Sequence, residues 1–90
     1  MDKRIGIIVP CYNEAQRLDR RRFVQFVRQC ADVDLLFVND GSTDATLEVL
    51  HEMSASHPQR LFVHDMSENG GKAEAVRQGL LDACRRQPTY

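Results

Sequence analysis

A threefold alternation constrains this chain more than any other feature. Three times, a short apolar run stops at polar or turn-forming residues and a segment of helical periodicity follows. Ile5 to Val9 is the first run, stopped by Pro10. Leu35 to Val38 is the second, cut off at Asn39-Asp40-Gly41, and Leu61 to Val63 is the third. Short, non-alternating apolar runs rich in branched residues read as buried strands. Phe23, Phe26, Val27 and Cys30 then share one face of a helix expected from about Ala15 to Ala31. Leu47, Leu50 and Met53, with Ala45 and Val49, mark a second helix, whose start can be capped by Ser42, Thr43 or Asp44. Ala73, Val76, Leu80 and Ala83 or Cys84 mark a third, ending near Gln87-Pro88.

The order β-α-β-α-β-α predicts an α/β fold: a parallel, Rossmann-like sheet with right-handed crossovers and helices on both faces. Residues 1–90 read as a single domain. Ligands of such sheets bind at the carboxyl ends of the strands. Here those ends are residues 10–14, 39–42 and 65–72, and the polar chemistry is concentrated on that edge.

Composition removes several classes. A net charge of −1 gives no basic footprint for nucleic acid or an anionic membrane. The one basic cluster, Arg17 with Arg20-Arg21-Arg22, includes Asp19 and reads as a solvated helix face. No apolar run has the length of a bilayer span. Cys11, Cys30 and Cys84 are odd in number and widely spaced, which argues for a reducing compartment and against disulfides or a zinc site. Cys30 and Cys84 fall on the apolar faces of their helices. His51, His57 and His64 show no metal-ligand spacing, and structural or surface roles are expected for them.

The polar edge also lacks the common phosphate and nucleophile motifs. A Walker loop ending at Gly71-Lys72 would need glycine where Met66 stands and a hydroxyl where Ala73 stands. The turn after the first strand reads P-C-Y-N-E, not G-x-G-x-x-G, and no G-x-S-x-G occurs. What remains is an aromatic and a carboxylate after the first strand and a carboxylate after the second. Tyr12 can cover a nucleobase face, and Glu14 and Asp40 can accept from base N–H or ribose hydroxyl groups. Gly70-Gly71 admits close backbone approach, and Lys72 adds a cation near a helix start, where anions are favoured. Each residue has a plainer reading taken alone: Asp40-Gly41 and Asn69-Gly70 are common turn pairs, and Tyr12 can pack on the sheet.

The segments IIVPCYNEAQRL, LLFVNDGSTDAT and ENGGKAEAVRQGL, in that order, resemble the N-terminal half of the family 2 glycosyltransferases, inverting enzymes of the GT-A fold. The third segment is most similar to the branch that makes dolichyl- or polyprenyl-phosphate sugars. The resemblance implies that Pro10, Tyr12 and Glu14 contact the base and ribose of a nucleotide-diphospho-sugar, UDP- or GDP-linked, with Val38 and Asp40 as the second wall and Lys72 near the phosphates. It implies a hexosyltransferase as the parent protein, a divalent metal (Mg or Mn) as its cofactor, a polyprenyl phosphate as an acceptor class, and the cytoplasm or the cytoplasmic face of a membrane as its place. The one literal D-x-D, Asp32-Val33-Asp34, precedes the second apolar run, whereas the family's metal motif follows the fourth strand, so neither that motif nor the family's catalytic base is found in these residues. The chain therefore reads as the truncated, donor-nucleotide half of a glycosyltransferase domain, without catalytic residues of its own. The alternative is a stand-alone nucleotide-binding or regulatory module. The family's strand order, 3-2-1-4, puts the first strand beside a fourth that Pro88-Thr89-Tyr90 would open. Without that strand, Ile5 to Val9 becomes a sheet edge open to self-association, with Val76 and Leu80 uncovered, unless Asp2, Lys3 and Arg4 protect it.

Overall fold

The structure, a computed structural model, describes residues 4–86. Three parallel strands, β1 (Ile5–Cys11), β2 (Val33–Asp40) and β3 (Leu61–Met66), alternate with α1 (Arg20–Gln29), α2 (Thr46–Ser56) and α3 (Lys72–Arg86). The strand order is β1-β2-β3, the expected 3-2-1 read from the other edge. β2 is central and buried along its whole length.

Side chains alternate across the sheet, and the helices divide accordingly. Val33, Leu35 and Phe37 of β2 face α1 and α2, in one core with Val27, Leu50, Met53 and Leu61. Phe23 meets Phe37 edge-on, with ring centroids 5.0 Å apart. On the opposite face Val38, Met66, Ala75 and Ile8 pack under α3. Gly79 lets that helix lie close, since a Cβ there would come within 2.7 Å of Ile8 and 2.9 Å of Val38.

Several boundaries differ from those expected. β1 does not stop at Pro10 but continues to Cys11. The N–H of Ile5 donates to Asp32 O, so the two-residue repeat turns Ile7, Val9 and Cys11 toward β2 and Gly6, Ile8 and Pro10 away from it. The missing N–H of Pro10 therefore costs the ladder nothing. α1 starts at Arg20 rather than near Ala15, because Asp19 caps it by accepting from Arg22 N–H. Cys84 is exposed rather than on the packed face of α3. His64 is held by Asp82 and Gln78, each at 2.9 Å, which is a structural role.

β1 is an edge of the described sheet, and Ile5, Ile7 and Leu80 beside it are exposed. Arg4 does not shield that edge, because its guanidinium turns to Asp34. Asp2, Lys3 and the segment Pro88-Thr89-Tyr90 lie outside the described residues.

Candidate functional site

The carboxyl ends of β1 and β2 and the start of α3 enclose an open cleft of about 460 Å³. Pro10, Tyr12, Glu14, Asp40 and Lys72 line it, together with Cys11, Asn69 and Gly71. Five of the six residues singled out in the sequence thus stand around one space. Val38 does not line it: its side chain is fully buried beneath the cleft, against Met66 and Ala75. Side-chain alternation decides this, since Val38 and Asp40 share a face but only Asp40 reaches the rim.

Each wall has a local cause. Tyr12 follows the last residue of β1 and keeps about half of its surface exposed (47%), so a ring face is available for stacking. Asp40 ends β2 with only 4% of its surface exposed. Its Oδ1 accepts from Gly70 N–H at 2.8 Å, and its Oδ2 accepts no hydrogen bond among the described residues. Asn69 closes the back of the cleft, its side-chain amide donating to Asp40 O at 3.0 Å. Gly41 makes that closure feasible. It is left-handed (φ +64), and a Cβ there would lie 2.3 Å from Asn69 N. In the sequence Asn69-Gly70 is a turn pair and Gly70-Gly71 gives room for a ligand, but nothing there shows that the loop folds back over Gly41.

Cys11 lines the cleft but is no nucleophile. Burial, and then the charge of Glu14, push its thiol up to about 11, so it stays protonated near neutrality. Lys72 opens α3, so its ammonium and the helix's first N–H groups share one corner of the cleft. A neighbouring hollow of about 480 Å³ beside β3 carries Asp65, Glu68 and Glu74 and no Phe, Tyr or Trp ring. A diphosphate would be repelled there, whereas the first cleft offers a ring, a cation and unfilled acceptors. Among the described residues, no group of three or more His, Cys, Asp or Glu side chains is arranged to hold a metal ion.

The profile described as "Glycosyl transferase family 2" matches residues 6–84. The chain belongs to this family. Among curated relatives of this family 2 chain, a dolichyl-phosphate beta-glucosyltransferase of Drosophila melanogaster is 36% identical over 91% of the chain. A poly-beta-1,6-N-acetyl-D-glucosamine synthase of Staphylococcus epidermidis is 30% identical over 88% of it. The match spans 28% of the first relative's length and 19% of the second's. A mannosyltransferase of Pyrobaculum calidifontis, solved with GDP-Man and Mn2+, superposes on 92% of the chain and 25% of its own length, with a TM-score of 0.73 and 25% identity. The family and the GT-A type of α/β fold expected from the three motifs are thus shown.

Proposed function

We propose that this chain is the donor-nucleotide-binding part of a longer hexosyltransferase that inverts configuration at the transferred sugar. The observation that carries this reading is Asp40, a buried carboxylate whose Oδ2 remains available at the rim of a cleft that also holds Tyr12 and Glu14. Tyr12 stacks on the base, Glu14 and Asp40 accept from base N–H or ribose hydroxyls, Pro10 bounds the pocket, and Lys72 meets a phosphate oxygen. The nucleotide is a uridine or guanosine diphosphate. The GDP-Man of the structural neighbour and the dolichyl-phosphate of the first relative support a sugar nucleotide as donor and a polyprenyl phosphate as acceptor. The parent acts in the cytoplasm or at the cytoplasmic face of a membrane. Among the described residues, no helix is long and apolar enough to cross one.

Cleaving the bond from sugar to diphosphate leaves charge on the departing phosphate, and the acceptor hydroxyl must lose its proton to a base. In this chain Lys72 addresses only the first need. Among the described residues, no group of side chains is arranged to hold the Mg or Mn ion of the parent. We therefore expect no sugar transfer by these 90 residues alone, and turnover at an ordinary enzymatic rate in a sugar-nucleotide assay would overturn that.

Calorimetric titration with GDP and UDP tests the binding reading. Binding should be weak but measurable, and Tyr12→Ala should weaken it by about 1–3 kcal/mol, the worth of one base stacked on a ring. No heat with either nucleotide would remove the proposal. The outward-facing Gly6 and Ile8 of β1, with Ile7 and Leu80 exposed beside them, also support pairing of two chains along this edge. Sedimentation at rising concentration decides that point, and a strict monomer would exclude it.

A further inference from the structure

The loop after β1 and the loop after β2 are clasped together by side chains. Following Tyr12, three successive backbone N–H groups donate to side chains from Ser42 to Thr46, the last of which opens α2. Asn13 donates to Ser42 Oγ at 3.0 Å, Glu14 to Thr46 Oγ1 at 2.9 Å and Ala15 to Asp44 Oδ2 at 3.4 Å. In return, Thr43 N–H donates to Asn13 Oδ1 at 2.8 Å. The Thr46 hydroxyl, having accepted from Glu14, passes its own proton toward Asp44 Oδ1, which also accepts Thr46 N–H at 2.9 Å. Donors and acceptors therefore match from end to end, with fully buried Thr46 at the centre.

Three placements make this more than turn chemistry. Asn13 adopts a left-handed backbone (φ +52), which asparagine tolerates better than most residues. It stands between Tyr12 and Glu14, the two residues that the β1 loop offers to the cleft. On the other side, Ser42 follows Gly41 and Asp40 directly, so the clasp joins the Tyr12–Glu14 wall to the Asp40 wall. Asn13, Thr43 and Asp44 are themselves exposed, so their hydrogen bonds fix loop geometry without adding to the core.

We propose that Asn13, Asp44 and Thr46 are positioning residues of the nucleotide site, which set the separation of its two walls by acting through Tyr12, Glu14 and Asp40. This rests on the nucleotide reading above. It predicts that disturbing the clasp weakens nucleotide affinity even where the protein remains folded. A merely structural clasp would lower the melting temperature and leave the affinity of the folded protein alone.

The test is calorimetry with GDP and UDP, run well below the melting temperature, with melting followed by circular dichroism. Thr46→Val deletes the hydroxyl at nearly constant volume. Asn13→Gly keeps the left-handed backbone and removes the acceptor, and because Asn13 is exposed it remains informative if Thr46→Val does not fold. Each should raise Kd about tenfold, the scale of one lost hydrogen bond in a preorganised site. Thr46→Ser and Asn13→Asp keep the bonding atoms and should stay within about threefold of wild type. If wild type binds nucleotide, Asp40→Ala binds it more weakly and both clasp variants bind it as well as wild type, the nucleotide reading stands and this proposal is overturned. If wild type binds neither nucleotide, both are overturned.

Discussion

β2 carries a buried aspartate near each end, and the two differ in almost nothing but their partners. Asp34 and Asp40 point to the same face of the same strand and are 1% and 4% exposed. Asp34 is held by two guanidinium groups: Arg4 Nε donates to Oδ2 at 2.8 Å and Arg60 Nε to Oδ1 at 2.9 Å. Arg60 also donates to Val27 O and Cys30 O, which ties the end of α1 to the start of β3. Asp40 has one backbone N–H on one oxygen and, among the described residues, no ion pair. Burying a carboxylate is costly unless it is paired. At the amino end of the strand the pairing comes from the fold itself. At the carboxyl end it is left for whatever enters the cleft, and that difference separates a structural carboxylate from one suited to a ligand.

The largest expected effect lies at the amino end. Asp34→Ala removes the acceptor that two partly buried guanidinium groups share. Stability should fall by about 3 kcal/mol, toward the low end for breaking a buried pair because both arginines keep some solvent contact. Urea denaturation measures the loss. Nucleotide affinity of the folded fraction should stay unchanged. A stability loss no larger than that of Asp40→Ala would dissolve the contrast between the two ends.

Asp40→Ala is the reciprocal experiment. Affinity for GDP or UDP should weaken by about 1–3 kcal/mol, the cost of leaving ligand donors without a partner. Stability should drop by only about 1 kcal/mol, for the single bond from Gly70. Equal affinities in calorimetry would remove Asp40 from the site.

This contrast was half legible in the sequence. The apolar run ending at Asn39-Asp40-Gly41 placed Asp40 at a strand's carboxyl end, and the two flanking motifs placed it in a family. Asp34 gave no comparable signal. It stands just before the run Leu35 to Val38, and its partners Arg4 and Arg60 lie 30 and 26 positions away. The strand therefore extends beyond the apolar stretch at both ends. Ser42 and Thr43 were misread for a related reason. As small polar residues before a helix they match capping chemistry, yet α2 starts at Thr46 behind Ala45, and both bond to Asn13 instead. Only Asp44 serves the helix start, accepting Thr46 N–H. Local pattern locates elements and their edges; which loop a side chain reaches depends on tertiary approach. Val38 shows the same limit within one strand, since its motif position is that of a site residue and its side chain belongs to the core.

A third carboxylate sharpens the comparison by having partners while only half-buried. Glu74, in the first turn of α3, accepts from Arg77 Nε at 2.9 Å and from Gln78 Nε2 at 3.0 Å. Its carboxyl is drawn down to about 2, chiefly by the hydrogen bonds from Arg77 and then by that from Gln78. A folded-state value below the unfolded one means that the stabilising contribution is complete above the usual carboxylate range. It is lost as pH falls from about 4.5 toward about 2. Glu74→Gln should therefore lower the urea midpoint slightly at pH 6, and the gap from wild type should narrow at pH 3 and close near pH 2. The effect should be the smallest of the three, because an exposed pair is screened by water and salt. It should shrink further in high salt, whereas the penalty of Asp34→Ala should persist there. A gap that widens on acidification would mean that Glu74 gains nothing from Arg77, and that burial, rather than partnership, is what distinguishes the carboxylates of this fold.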